Sequence, residues 1–271
     1  MGRFVTVAPL LLAGMISQAE AQIDTAVDLE LALAVDVSRS IDAREARLQR
    51  QGYIAAFRDP FVIHAIRAGM LGRIAVTYFE WAGMDRPQIV AGWTVIDDSA
   101  SAFAFAEELD RMAPHTARRT SISRALEFAL PLFDGNGFEG TRRVVDVSGD
   151  GPNNWGALVT TARNRAVAAG VTINGLPILD DGGGMFSNFN IPDLDHYYRD
   201  CVIGGPGAFV VVAADFTDFA RAVRRKLILE IAGDRPRKAQ GFVQARAIGV
   251  ARASPPCDIG EQLMRDLFED F

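Results

Sequence analysis

Two kinds of hydrophobic pattern alternate along the chain. Short runs of mostly apolar, often β-branched residues indicate strands buried within a sheet. These runs cover residues 29–35, 72–81, 88–96, 144–147, 171–179 and 208–213. Between most of them lie longer segments in which apolar residues recur every three or four positions, the pattern of helices with one buried face. These segments cover residues 42–59, 61–68, 99–112, 120–133, 159–169 and 216–231.

Local signals predict where some helices begin and which residues they expose. Ser99 or Ser101 is expected to cap the third helix, and Thr120 is expected to start the fourth. In the last helix of this series, the basic residues lie off the apolar stripe and are predicted to be on the surface. They are Arg221, Arg224, Arg225 and Lys226.

The order of these elements predicts the fold class. Strands separated by helices indicate a doubly wound α/β sheet that is mostly parallel and carries helices on both faces. Only a short link with Gly, Asp and Pro separates residues 72–81 from residues 88–96, which allows an antiparallel hairpin. Residues 88–96 are therefore expected to form one antiparallel edge strand.

A D-x-S-x-S sequence directly follows the first predicted strand. Asp36 ends the apolar run, and Ser38 and Ser40 follow at alternate positions. Ligands of open α/β sheets bind outside the carboxyl ends of the strands, where this loop is expected to lie. One carboxylate and two small hydroxyls are oxygen ligands that suit Mg²⁺ or Mn²⁺. The two serines also suit the N-cap of the next helix, which is the simpler alternative.

Two later loops contain further candidate metal ligands. Thr120 precedes a helical pattern, and Asp150 lies in a Gly-Asp-Gly turn after a strand. Thr116 and Ser121 are local alternatives to Thr120, and Asp150 is also an ordinary residue for a turn. The sequence thus contributes candidate ligands from three loops, namely Asp36, Ser38, Ser40, Thr120 and Asp150.

This ordered set of Asp-x-Ser-x-Ser, then Thr, then Asp-Gly resembles the von Willebrand factor type A (VWA) domain. In that family the set forms a metal-ion-dependent adhesion site, or MIDAS. The resemblance covers about residues 28–232 and is nearest to an uncharacterised bacterial family of secreted single-domain members. It implies a bound Mg²⁺ or Mn²⁺ and a protein partner that offers a carboxylate to the ion.

Some residues depart from the usual VWA pattern. Arg119 stands where a glycine is common, and Gly149 stands where a threonine is common. Arg119 is expected to screen the cation or to attract an anionic ligand. Asn153 and Asn154 follow the Asp-Gly turn and are interpreted as ordinary loop residues.

Composition and motifs narrow the function further. The chain has 271 residues, of which 49% are hydrophobic, so it is long enough for one large domain with a tail. Its net charge of −6 argues against nucleic-acid binding and against anionic membrane surfaces. We find no P-loop, G-x-S-x-G or H-E-x-x-H motif in the sequence, and His115 is the best acid–base candidate. A binding protein is therefore predicted rather than an enzyme; a metal-dependent hydrolase or phosphotransfer enzyme and a metal-free scaffold are the alternatives.

The first 21 residues have the features of a secretory signal peptide. A basic start at Arg3 and a short apolar core precede Ala19-Glu20-Ala21, so cleavage is expected after Ala21. A short lead, residues 22–27, comes next. We see no later apolar run in the sequence long enough to span a membrane, so the mature protein is expected to be periplasmic or secreted.

The segment 233–271 is predicted to be a C-terminal tail. Arg, Ala, Gly and Pro dominate residues 233–256, which reads as a linker, and apolar residues at 259–267 suggest a short amphipathic helix. A disulfide between Cys201 and Cys257 is plausible in an oxidising compartment, with two free thiols as the alternative. Asp180 and Asp181 begin a glycine-rich stretch that is interpreted as a solvated turn.

Overall fold

The computed structural model describes residues 24–113, 116–179, 191–233 and 254–269. Its strands are β1 (Thr25–Val27), β2 (Glu30–Asp36), β3 (Ile74–Trp81), β4 (Gln88–Ile96), β5 (Phe138–Gly140), β6 (Arg143–Gly149) and β7 (Val171–Pro177). Its α-helices are α1 (Ala43–Phe57), α2 (Pro60–Arg67), α3 (Ser99–Arg111), α4 (Ile122–Ala129), α5 (Val159–Ala168), α6 (Leu194–Tyr197), α7 (Phe219–Ala232) and α8 (Ile259–Glu269). A 3₁₀ turn, Leu130–Phe133, extends α4, and a π-helical turn, Tyr198–Val202, extends α6.

The main sheet has five strands in the order β4-β3-β2-β6-β7. All neighbours run parallel except β3 and β4, which are antiparallel. This confirms the predicted doubly wound α/β fold with an antiparallel edge strand. Because β2 lies in the middle of the sheet, the loop after Asp36 emerges between the loops of its neighbours.

Helices cover both faces of the sheet. On β2, Leu31, Leu33 and Val35 pack into one core with α1, α2, α3 and α7, whereas Ala32 and Ala34 face a second core with α4 and α5. The alternation follows from the two-residue period of a strand. Burial on both faces explains why the strand sequence is apolar almost throughout. Among the described residues, we find no helix long and apolar enough to cross a membrane.

The last predicted strand, residues 208–213, is only partly correct. This segment runs beside β7 but joins it through isolated parallel bridges, Gly175 with Val210 and Ile178 with Ala213. A continuous ladder between these bridges needs a backbone N–H at position 177. Pro177 has none, so the ladder is interrupted and the segment is not a regular strand.

The third helix begins at Ser99 as predicted, but the N-cap of this helix and the start of the fourth helix differ from the prediction. Asp98, not a serine, caps α3: its carboxylate accepts the Ser101 N–H at 2.7 Å, while Ser101 Oγ accepts the Asp98 N–H at 3.1 Å. Ser121 caps α4, which places Thr120 before the helix. In both cases the residue directly before the first helical residue takes the role, because its side chain can accept the free N–H groups of the first turn.

β1 pairs in parallel with β5, and both strands lie outside the runs predicted from the sequence. Several other sequence features lie outside the described residues. The proposed signal peptide, His115, the Asp180–Asp181 stretch and residues 234–253 of the tail lie outside the described residues.

Lys226 is not on the surface as predicted. It is 0% exposed on α7, with its Nζ 2.6 Å from Asp146 Oδ1 and ion-paired to Glu230. Glu230 also accepts a hydrogen bond from Asn174 Nδ2 at 3.0 Å. Burial, reinforced by Glu230, raises the pKa of Asp146 to about 7 even though Lys226 opposes the shift. A proton and one lysine thus balance two buried carboxyl groups.

Asp146→Asn is expected to change how stability depends on pH. The raised pKa means that the folded protein holds this proton more tightly than the unfolded chain does. The stabilisation is therefore complete near the ordinary pKa of 3.8 and is lost as the pH rises towards 7. In urea unfolding of chelator-treated protein, the wild type should lose stability relative to Asp146→Asn over this range. Parallel profiles for the two proteins would contradict the assignment, and the exposed Asp134→Asn is the control.

Candidate metal site

The loop after β2 gathers three of the candidate ligands. Asp36 is the last residue of the strand and is fully buried, and its Oδ1 accepts the Ser38 N–H at 2.7 Å. The Oγ atoms of Ser38 and Ser40 lie 3.1 Å apart. The N-cap of α1 is Asp42, whose carboxylate accepts the first backbone N–H groups of the helix. The two serines are therefore not needed as helix caps.

The β6 loop brings Asp150 to the same place. Ser40 Oγ donates to Asp150 Oδ1 at 2.9 Å, which joins the first and third loops directly. The contact follows from topology, since β2 and β6 are parallel neighbours whose carboxyl ends lie side by side. Asp150 is almost completely buried, so it is more than an ordinary turn residue.

The loop of Thr120 lies between these two. Ala117 donates its N–H to the carbonyl of Val37 at 2.9 Å, which ties this loop to the β2 loop. Thr120 donates its N–H to Asn154 Oδ1 at 2.9 Å and accepts the Asn154 N–H at the same distance. Thr120, Ser38 and Ser40 line one cavity of about 220 Å³. The structure thus brings the three predicted loops together.

Asp36 and Asp150 place two acidic groups near each other in a buried part of the protein. Burial raises the pKa of the Asp36 carboxyl well above its ordinary value, and Asp150 raises it further. Asp36 Oδ2 is buried and has no hydrogen-bond partner among the described residues. A buried carboxylate oxygen is costly unless a hydrogen-bond donor, a proton or a cation satisfies it. A divalent cation between the two acids would satisfy both.

The donor set fits a hard cation. Two carboxylates and three hydroxyls are oxygen donors of the kind that Mg²⁺ and Mn²⁺ prefer. In the part of the chain that the structure describes, no cluster of three or more His, Cys, Asp or Glu side chains converges. The candidate ligands in the three loops are hydroxyls and carboxylates, and their set includes no thiol or imidazole.

Tyr198 is a site residue that the sequence analysis missed. A Cβ atom at Gly149 would lie 2.8 Å from Asp36 Oδ2 and 2.9 Å from the Tyr198 hydroxyl. A Cβ atom at Gly175 would lie 2.8 Å from the Tyr198 ring. The two glycines therefore make room for the ring across β6 and β7. Burial, then Asp36 and Asp150, raise the pKa of this phenol, so it keeps its proton, although its hydroxyl has no hydrogen-bond partner among the described residues.

Gly149 was the one feature of the sequence that could have indicated a large side chain, here Tyr198, packed against this position. It stands where threonine is common in VWA domains, and its missing side chain is replaced by a hydroxyl from a distant segment. Tyr198 lies 49 positions further along the chain, in a π-helical turn that hydrophobic patterning does not predict. Sequence spacing alone cannot connect the two residues.

Arg119 has a backbone conformation that favours glycine, the residue that is common at this position in VWA domains. Its φ is 66°, in the left-handed region that disfavours residues with a Cβ. Gly83 packs against it so closely that a Cβ there would lie 2.4 Å from Arg119 Cβ. The guanidinium lies over the Trp155 ring, 4.6 Å from its centroid, and Nη1 is 3.4 Å from Met264 Sδ. The arginine thus lines the edge of the cavity.

Asn153 and Asn154 have a larger part than the loop role assigned to them. Asn153 is fully buried, and its Oδ1 accepts the Ser123 N–H at 2.9 Å. Its Nδ2 donates to Glu261 of α8 at 2.6 Å. Together with the Asn154 contacts to Thr120, these bonds join the Asp150 loop to the start of α4 and to α8.

Tyr198→Phe is expected to weaken Mn²⁺ binding by about tenfold, because partners that orient a metal-ligating group typically contribute this much. The measurement is calorimetric titration of chelator-stripped protein. Tyr78→Phe is the matched control, since it removes another buried phenol hydroxyl, which lies beside Arg50 and Glu80 rather than at the candidate site. Equal affinity in wild type and both variants would rule out a role of Tyr198 in positioning Asp36.

Comparison with known proteins identifies the family to which this chain belongs. The family described as "Protein of unknown function (DUF1194)" matches residues 26–235. No curated protein matches the chain. The matched segment begins in β1 and ends just after α7, so it includes the three loops of the site.

Several solved structures share the fold. Proximal thread matrix protein 1 from the mussel byssus, solved with a zinc-occupied MIDAS motif, is 17% identical, with a TM-score of 0.51 over 77% of this chain and 47% of that one. A von Willebrand factor type A protein from Catenulispora acidiphila is 15% identical, with a TM-score of 0.53 over 76% and 43%. The pilus adhesin SpaC from Lactobacillus rhamnosus GG is 12% identical, with a TM-score of 0.54 over 76% and 30%.

This chain therefore spans about half, or less, of the length of these proteins. At such identities the likeness establishes the fold, and it confirms the resemblance to VWA domains. The chain has a VWA-type fold and belongs to the family described as protein of unknown function DUF1194.

Proposed function

We propose that this protein is an exported adhesion-type domain that binds Mg²⁺ or Mn²⁺ and, through the ion, an acidic protein partner. The ion is held by Asp36, Ser38, Ser40, Thr120 and Asp150. The observation that carries the proposal is the buried Asp36 Oδ2, which has no hydrogen-bond partner among the described residues and lies in the field of Asp150.

The ligand set explains why such an ion would capture a carboxylate. Mg²⁺ takes six oxygens in near-octahedral geometry and keeps several waters. Hydroxyls are neutral, so they leave much of the ionic charge available for an anionic ligand. An acidic side chain of a partner gains affinity when it replaces one of these waters. The binding step requires no proton transfer, so a catalytic acid or base is not needed.

Positive charge around the cavity supports an acidic partner. Arg39, Arg118 and Arg119 line the same cavity as the hydroxyl ligands. Guanidinium groups are donors whose planar geometry matches a carboxylate. They therefore favour a partner carboxylate over a neutral group. Arg119 would act here at the edge of the site rather than in contact with the ion.

The known structures and the disulfide support parts of the proposal. The mussel protein is described with a zinc-occupied MIDAS motif, so a divalent ion can bind on this fold. We favour Mg²⁺ or Mn²⁺ for this chain because its donors are oxygens, whereas zinc prefers nitrogen and sulfur. The structure joins Cys201 and Cys257 by a disulfide, a bond that persists in oxidising compartments. This supports export to the periplasm or beyond.

Calorimetric titration of the mature, chelator-stripped protein tests the metal site. The wild type should bind about one Mg²⁺ or Mn²⁺ saturably, and Asp150→Ala should lose this binding because it removes one of two charged ligands. Asp134→Ala, which removes an exposed aspartate after α4, should bind as the wild type does.

Folded wild type that binds neither ion would refute the proposal and leave the fold as a scaffold. Cation-dependent turnover of generic phosphate or carboxylic esters that requires Asp36 would instead establish the hydrolase alternative. Circular dichroism of each variant verifies that loss of binding is not loss of folding.

A further inference from the structure

Helix α8 is attached to the domain beside the candidate metal site, once just before its first turn and once within it. Cys257, two residues before the helix, is disulfide-bonded to Cys201 in the π-helical turn that also contains Tyr198. Glu261 accepts the hydrogen bond from Asn153 of the Asp150 loop. The tail segment 254–269 is therefore fixed to the domain on the side where the candidate ligands lie.

The backbone of α8 touches the Asp150 loop directly. A Cβ atom at Gly260 would lie 2.1 Å from the carbonyl oxygen of Asn153, so only glycine permits this approach. Further along the helix, Met264 Sδ lies 3.4 Å from Arg119 Nη1. The helix thus contacts two of the three loops that carry the candidate ligands.

Two apolar side chains of α8 complete the cavity. Met264 and Leu267, one helical turn apart, line it together with the hydroxyl ligands. Met264 is 9% exposed, but Leu267 is 37% exposed. The two side chains make one wall of the opening apolar, opposite hydroxyl and guanidinium groups. The cavity of about 220 Å³ is large enough for a side chain but not for a folded element.

We propose that α8 forms an apolar subsite beside the cation, and that the partner presents a carboxylate directly flanked by apolar side chains. The acidic group would ligate the ion, and a neighbouring apolar side chain would lie on Met264 and Leu267. Arg118, which is exposed at the same opening, faces further acidic groups of the partner. The occupant is thus an acidic, apolar peptide segment. This inference rests on the proposed function and names the partner that the same site selects.

Two immobilised peptides test the subsite. Acetyl-Gly-Leu-Asp-Leu-Gly-amide and acetyl-Gly-Ser-Asp-Ser-Gly-amide, extended by one linker and coupled at equal high density, differ only in the residues beside the aspartate. High density compensates for the weak binding of single short peptides. In Mn²⁺, the wild type should prefer the leucine peptide by about tenfold, the effect of burying part of one leucine side chain.

The variants separate the subsite from the ion. Leu267→Ser should lose the preference but bind Mn²⁺ as tightly as the wild type does. Leu229→Ser is the matched control, because Leu229 is also 37% exposed on a helix, α7, and does not line the cavity. It should keep the preference. Asp150→Ala should bind neither peptide.

Each outcome has a distinct meaning. Equal binding of both peptides to the Mn²⁺-loaded wild type would overturn the subsite but leave the proposed function intact. A preference that survives in Leu267→Ser, or that persists in chelator, would also overturn it. No peptide binding by protein that has bound Mn²⁺ in titration refutes the acidic, apolar ligand. Failure of the wild type to bind Mn²⁺ refutes the proposed function and the subsite with it.

Discussion

The carboxyl group of Asp36 is a charge placed where the fold excludes water. The central strand β2 is covered on both faces, and its last residue is completely buried. Ser38 satisfies one oxygen, while the other has no hydrogen-bond partner among the described residues. Around this acid lie two serine hydroxyls, a second aspartate from the loop after β6, and a tyrosine phenol for which two glycines leave room. Burying such a group is costly unless a hydrogen bond, a proton or a cation compensates it.

The same constraint connects the tail to the centre of the sheet. Tyr198 lies near Asp36, Cys201 lies one turn later, and its disulfide partner Cys257 directly precedes α8. From the other side, Met264 contacts Arg119, which precedes Thr120. Helix α8 is therefore connected to the surroundings of the buried acid by the disulfide and to the opening of the cavity by the Met264 contact. Hydrophobic patterning predicts only a short amphipathic helix in the tail, whereas the structure packs this helix against the cavity.

Sequence patterns predicted the sheet, its antiparallel edge strand and the three loops, because each depends on local periodicity and on residues at strand ends. Features that depend on contacts between distant segments were not accessible in this way. Lys226 looked like a surface residue because its partners, Asp146 and Glu230, are recognisable only once α7 packs on the sheet. Tyr198 was missed because a side chain from a separate segment fills the space of Gly149. Pro177 gave a local signal that was overlooked, namely a missing N–H donor.

The interrupted pairing beside β7 affects whether two molecules of this protein can pair through the edges of their sheets. A parallel sheet that ends in a regular, flat strand offers a row of free backbone groups on which another chain can add. Here residues 208–213 occupy that edge with only isolated bridges, and Pro177 removes a donor from the ladder. The edge is therefore covered by a segment that is itself a poor template. Unwanted growth of the sheet from one molecule into the next is therefore discouraged on this side.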